Sequence, residues 1–122
     1  MMNCAGNAVS ALGRVTYGEI AASEEARKLV AQVVTEVLGV ACTAGIRVPG
    51  MENPQAGIAA ALKLATVMSR ATSSTAQDLE KGKLTEIDSL NGYVARRGET
   101  LGVPAPVNHA LYTLVKLAEG RR

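Results

Sequence analysis

The chain contains no tryptophan and no phenylalanine, and three tyrosines bring its aromatic content to only 2% of 122 residues. A core without larger rings must be built from Ala, Val, Leu, Ile and Met. Small aliphatic side chains let helices approach closely, which favours an all-α packing. The same shortage removes the stacking platforms on which single-stranded nucleic acid binds. Excess charge is missing too: 13 basic against 11 acidic residues leave a net +2, too little to recruit nucleic acid or a membrane surface. The pairs Arg96-Arg97 and Arg121-Arg122 read as solvated helix or tail residues. A single histidine leaves no His/Cys cluster for zinc, so no metal is expected. The two cysteines, Cys4 and Cys42, stand on apolar helical patterns. They fit buried thiols of a reduced, cytoplasmic protein, not a disulfide framework. No apolar run is long enough to span a bilayer, and no signal peptide is legible at the N-terminus.

What is present is an ordinary globular balance of 48% hydrophobic and 20% charged residues in a length suited to one domain. The periodicity predicts helices throughout. The first runs from Met2 to about Leu12, with Met1, Ala5, Ala8 and Leu12 on one side and Asn3 and Asn7 on another. It starts without a cap, which implies a truncated beginning. After a break at 13–16 and a short turn over 17–22, Ser23 caps a helix that runs to about Thr43 and is stopped by Gly45. Asn53-Pro54 opens the next helix, whose apolar stripe is Ile58, Ala61, Leu62, Ala65 and Met68. Ser74 and Gln77 match a capping box for a short helix closed by Gly82. Thr85 starts a helix with Ile87, Leu90, Val94 and Leu101 buried and Gly102 as its stop. Pro104 and Pro106 stiffen a connector to a last helix over about 107–119. Strand alternation, internal repeats and a glycine-rich Gly-x-Gly-x-x-Gly turn are all missing, so the chain offers no phosphate cradle for a dinucleotide.

Four polar positions are candidates for chemistry. On spacing alone, Glu86 is a first-turn carboxylate favoured by the helix dipole. Ser74 is a cap, and a capped helix start also suits a carboxylate ligand. Asn3 and Asn7, four apart, share one helix face. Asp78 and Asp88 read as structural residues near helix starts, and His109 as a solvent-side residue of the last helix.

The run from Ser73 to Gly92, Ser-Ser-Thr-Ala-Gln-Asp-Leu-Glu-Lys-Gly-Lys-Leu-Thr-Glu-Ile-Asp-Ser-Leu-Asn-Gly, resembles the signature of the ketopantoate reductases (2-dehydropantoate 2-reductases). The Asn3-x-x-x-Asn7 helix and the connector Gly102-x-x-x-Pro106-x-Asn108 resemble the same family, and the likeness extends from Asn3 to about Leu117. It implies the C-terminal helical domain, a multi-helix bundle of the kind seen in the 6-phosphogluconate dehydrogenase C-terminal domain. Residues 1–122 would then be one substrate-binding and dimerising unit. The N-terminal dinucleotide-binding domain, which binds NADPH, would be absent from this chain.

The resemblance also implies roles. Glu86 would lie beside the substrate and a catalytic lysine. Ser74 would contact the carboxylate of the 2-oxoacid ketopantoate, and Asn3 and Asn7 would bind its hydroxyl and carbonyl groups. The lysine belongs one turn before Asn3, ahead of Met1, so the chain alone is expected to be inactive. Two departures bear on the substrate: Ala71 and Tyr17 stand where family members carry asparagines. They leave room for a different branched 2-oxoacid. A reading from another class is a non-catalytic helical scaffold that dimerises through an exposed first helix.

Overall fold

The computed structural model describes residues 2–46, 53–68, 70, 74–81, 85 and 87–120, with side chains for all of these except 2–5, 74, 80 and 89. Among the described residues seven α-helices follow in order: α1 (Met2–Gly13), α2 (Tyr17–Ala22), α3 (Glu24–Thr43), α4 (Pro54–Val67), α5 (Ser74–Glu80), α6 (Asn91–Leu101) and α7 (Pro106–Glu119). A 3₁₀ turn, Ile87–Ser89, precedes α6. No strand occurs among the described residues.

The helix ends follow local chemistry. Thr16 and Glu19 form a reciprocal capping box at the start of α2. Ser23 Oγ accepts from Ala26 N and starts α3. At the far end of α3, Gly45 takes φ +77° while Ile46 N donates to Ala41 O and Gly45 N to Cys42 O, a Schellman closure. Asn53 caps α4, ahead of Pro54. Gly102, at φ +73°, ends α6 in the same left-handed way, with Val103 N donating to Gly98 O.

The core is aliphatic, as the lack of rings requires. Val30, Val33 and Val34 of α3 meet Ala8 of α1, Ile20 of α2 and Val115 of α7. Helix α3 packs on α1, α2, α4, α6 and α7, and α1 packs on α2, α3, α4, α5 and α7. Burial of each valine contributes about 1.5–3 kcal/mol. The sequence places Asn7 on a separate polar side of α1, but Asn7, Ala8, Val9, Ser10 and Ala11 are all buried. A helix closed in on every side is central, so residues 7–11 present no exposed apolar face to a partner.

Helix α7 lacks a cap of its own: Ala105, its N-cap, makes no side-chain hydrogen bond. Glu36 of α3 supplies one from a distance. Its Oε2 accepts from Val107 N at 3.0 Å, and its Oε1 accepts from Asn108 N at 2.9 Å and Asn108 Nδ2 at 2.8 Å. Asn108 Oδ1 in turn accepts from Asn91 Nδ2 at 2.9 Å, and both asparagines are fully buried. One carboxylate thus ties α3, α6 and α7 together.

Glu119 holds the other end of α7. Its Oε2 accepts from Thr85 N at 2.7 Å and Thr85 Oγ1 at 2.6 Å, and its Oε1 pairs with Lys116 at 3.1 Å. These anchors correct the sequence expectation of one helix from Thr85 to Leu101. Thr85 does cap, since its hydroxyl accepts from Ile87 N, but what it opens is one 3₁₀ turn. Thr85 is tied to residue 119 and Asn91 to residue 108, points about 16 Å apart along α7 at the rise of an α-helix. Six residues of α-helix cover only about 9 Å, so residues 87–89 take the longer rise of a 3₁₀ turn and the chain breaks at Leu90 before α6 begins.

Three smaller expectations change. Cys42 is exposed, because it lies two residues, about 200° of helix, from the inward-facing Val40. The side chain of Cys4 lies outside the described residues. Met68 is half-exposed beyond the end of α4, as is Leu64 on its outer side, and Val67 is largely exposed. Helix α5 includes Ser74 as its first residue, so it starts one position earlier than a Ser74 cap would place it, and Gly82 lies outside the described residues.

Replacing Glu36 by alanine leaves three donors without their acceptor, and urea unfolding is expected to show a loss of roughly 2–4 kcal/mol. Glu25→Ala, which removes only an exposed pair with Lys28, is expected to cost less than about 1 kcal/mol in the same assay. Acid has a separate effect. Burial pushes the Glu119 carboxyl up, but the Thr85 hydroxyl and N–H and the Lys116 ammonium outweigh it and hold it below its ordinary 4.5. A carboxylate held low adds stability above 4.5 that is lost as pH falls through the lowered value. The unfolding temperature is therefore expected to drop between about pH 5 and pH 3, and by less in Glu119→Gln.

Candidate functional site

Asn7 sits in the middle of α1 and is 3% exposed. Its Oδ1 accepts from the Tyr17 hydroxyl at 3.0 Å across the α1–α2 corner. Burial raises the Tyr17 pKa, so the phenol keeps the proton that this bond uses. Asn3 lies one turn earlier on α1, and its side chain lies outside the described residues. Ser74 opens α5, which packs directly on α1. Its side chain is likewise outside the described residues, as are Glu86 and Ala71 entirely.

The neighbours of Glu86 are described on both sides. Thr85 is bound to Glu119 through its N–H and hydroxyl, and Ile87 is fully buried, with its N–H donating to the Thr85 hydroxyl. The end of α7 that makes these bonds belongs to a helix that also packs on α1. The elements carrying the four candidate positions are thus α1, α5, which packs on it, and the segment after Thr85, which α7 holds.

Asp88 stands apart from these. Its carboxylate is exposed, accepts from Tyr112, and pairs with Lys116 at 3.4 Å and Arg96 at 3.8 Å. The Tyr112 hydrogen bond first, and the two cations with it, hold its pKa below the ordinary value despite some desolvation. That pattern is a surface staple between the 3₁₀ turn, α6 and α7. His109 is exposed on the first turns of α7, as expected.

A cleft of about 690 Å³ lies between α6, the 102–105 connector and the start of α7, lined among others by Arg96, Glu99, His109 and Tyr112. The N–H groups of Val107 and Asn108 at that helix start already serve Glu36, so they offer nothing to an anion there. Among the described residues, no group of three His, Cys, Asp or Glu could hold a metal. Among the described residues no strand leads into a glycine turn and a helix, the arrangement that cradles a dinucleotide. No described helix is long and apolar enough to cross a membrane.

Three tertiary contacts were not legible from spacing: Tyr17 on Asn7, Glu36 on Asn108 and Glu119 on Thr85. Two had a signal. Glu36 is a lone acid in a run of valines, and Glu119 is an acid in a helix's last turn, where the dipole opposes it. Each needed a partner from elsewhere.

Comparison with known proteins agrees with this architecture. Residues 1–119 match the family model described as the C-terminal part of the ketopantoate reductases PanE/ApbA. A 2-dehydropantoate 2-reductase of Pyrobaculum aerophilum is 41% identical over 97% of this chain and 40% of its own length. One from Vibrio cholerae is 32% identical over 97% of this chain and 38% of its own length. The crystal structure of a PanE/ApbA family ketopantoate reductase from Ralstonia eutropha superimposes with a TM-score of 0.88 at 40% identity, covering 98% of this chain and 39% of that one. A D-mandelate dehydrogenase solved with NADH and anilino(oxo)acetate gives 0.89 at 29% identity, covering 98% and 49%. The chain spans about two fifths of the length of the curated relatives it matches. An all-helical bundle in which α1 is central, matched over its whole length in sequence and in structure, places this chain in the ketopantoate reductase family, as the C-terminal helical domain.

Proposed function

We propose that the chain is the substrate-binding and dimerising half of an NADPH-dependent 2-dehydropantoate 2-reductase, a cytoplasmic enzyme that reduces ketopantoate to pantoate in pantothenate biosynthesis. The family match over residues 1–119 carries this reading. The dinucleotide would be held mainly by an N-terminal domain that is not among these residues, and a second copy of the chain would complete a homodimer.

In this reading the chain's own residues bind and orient the 2-oxoacid. Ser74, at the start of α5, would serve the substrate carboxylate. Asn3 and Asn7 of α1 would hydrogen-bond its hydroxyl and carbonyl groups. Glu86 would stand beside the lysine that polarises or protonates the C2 oxygen, a residue placed one turn before Asn3. The clamp of Glu119 on Thr85 supports the part given to Glu86, since it fixes the backbone next to it. A second reading keeps the reductase and changes the oxoacid. The Tyr17 ring at the α1–α2 corner and the structural likeness to a D-mandelate dehydrogenase favour it.

The purified 122-residue chain is expected to show no ketopantoate-dependent NADPH oxidation and no tight NADPH binding; turnover by the chain alone would contradict the proposal. In the full-length enzyme, Glu86→Ala is expected to lower kcat/KM by about 100-fold or more, the scale of lost acid–base assistance. Asp88→Ala, which removes exposed ion pairs, is expected to stay within about threefold. Equal and mild effects from both would make Glu86 an ordinary helix-start carboxylate. A panel of 2-oxoacids assayed with that enzyme decides between the two substrate readings.

A further inference from the structure

Glu119 is a carboxylate in an unfavourable place. It is 4% exposed and lies in the last turn of α7, where the helix dipole opposes a negative charge. Burial works against the charge as well. What offsets both is a set of bonds around the segment before α6. Glu119 Oε2 accepts from Thr85 N at 2.7 Å and from Thr85 Oγ1 at 2.6 Å. The Thr85 hydroxyl has one proton, which goes to the carboxylate, so it meets the Ile87 N–H, at 3.3 Å, with a lone pair. Ile87 itself is fully buried. Glu119 Oε1 pairs with Lys116 at 3.1 Å, and the same ammonium reaches Asp88 at 3.4 Å. Residues 85, 87 and 88 are therefore all tied to α7, the first two through one buried carboxylate. The tie to Asp88 is exposed and weak by comparison.

We propose that Glu119 is a positioning residue for the reduction: on the reading of Glu86 as the acid–base group beside the lysine, it fixes the two residues to which Glu86 is joined. Glu86 lies outside the described residues, and the hold is on its neighbours, Thr85 and Ile87. The hold needs a carboxylate, not just an acceptor. Two donors meet one oxygen of Glu119, and an ammonium meets the other. An amide has only one accepting atom and presents an NH₂ edge on its other side. In Glu119→Gln, either the Thr85 donors or the Lys116 ammonium must face that NH₂ edge. A misaligned acid–base group lowers turnover more than ground-state binding, because its alignment counts in the transition state. Glu119 thus acts on kcat through Thr85.

The test uses the full-length enzyme and a double-mutant cycle of Glu119→Gln with Glu86→Ala. Thr85→Val, which loses the hydroxyl and keeps the N–H, and Thr85→Ser, which keeps both donors, are second variants. The unfolding temperature of each is measured, and kcat and KM for the oxoacid are taken well below it. Glu119→Gln and Thr85→Val are expected to lower kcat by about 10-fold to 100-fold, with KM moving less than about threefold. Thr85→Ser should keep kcat within about threefold of the parent. On the Glu86→Ala background, Glu119→Gln should cost less than about twofold more, because it acts through that residue. If Glu119→Gln does not fold, the same cycle run with Thr85→Val decides. A strong loss in Glu86→Ala with an unchanged kcat in Glu119→Gln and Thr85→Val overturns the proposal and leaves the role of Glu86 standing. A mild effect of Glu86→Ala removes that role and the proposal with it. Losses that multiply in the double variant, or a Thr85→Ser loss equal to that of Thr85→Val, make Glu119 a support of the fold only and also overturn it.

Discussion

Three N–H groups at the start of α7 converge on the carboxylate of Glu36, and the placement of the C-terminal half depends on that convergence. A helix start needs acceptors for its free donors and favours negative charge beside them. Here the local sequence provides neither, since Ala105 and Pro106 carry no side-chain acceptor. The acceptor comes instead from a residue 71 positions earlier. Because Asn108 is both bound by Glu36 and bonded to Asn91, the same carboxylate fixes α6 against α7. The region is polar and largely buried, and directional hydrogen bonds give it one arrangement where an aliphatic contact would allow several.

Helix α7 then acts as a ruler. Its first turn is held by Glu36 and receives Asn91, and its last turn holds Thr85 through Glu119. The chain between Thr85 and Asn91 must cover the distance between those anchors, and it does so with a 3₁₀ turn and a break. The described ends of that stretch, Thr85 and Asn91, are thereby fixed by α7, a helix distant in sequence. Gly98 shows how close the supporting pieces lie: a Cβ there would come within 2.5 Å of the Val103 carbonyl oxygen.

Around α1 the same logic works with different groups. A helix buried on all sides from Asn7 to Ala11 can carry a polar residue only if that residue is bonded, and Tyr17 supplies a bond to Asn7. The corner that places Tyr17 is built from Ser10, Thr16 and Glu19, residues with no evident link to chemistry in the sequence.

The local devices were legible in the letters. Ser23, Asn53-Pro54, Gly45 and Gly102 mark helix ends because each acts within a few residues of itself, and so does the lack of rings in dictating an aliphatic all-α core. The family was legible for the same reason, being written in a contiguous run. What tertiary structure decided was everything that joins distant positions: the burial of Asn7, the exposure of Cys42 and Met68, the broken helix after Thr85, and the use of Glu36 and Glu119 as caps and clamps. Periodicity states which side of a helix a residue occupies, but not what lies opposite. A carboxylate on a helix is a solvated charge or a structural keystone according to the donors that packing brings within about 3 Å of it.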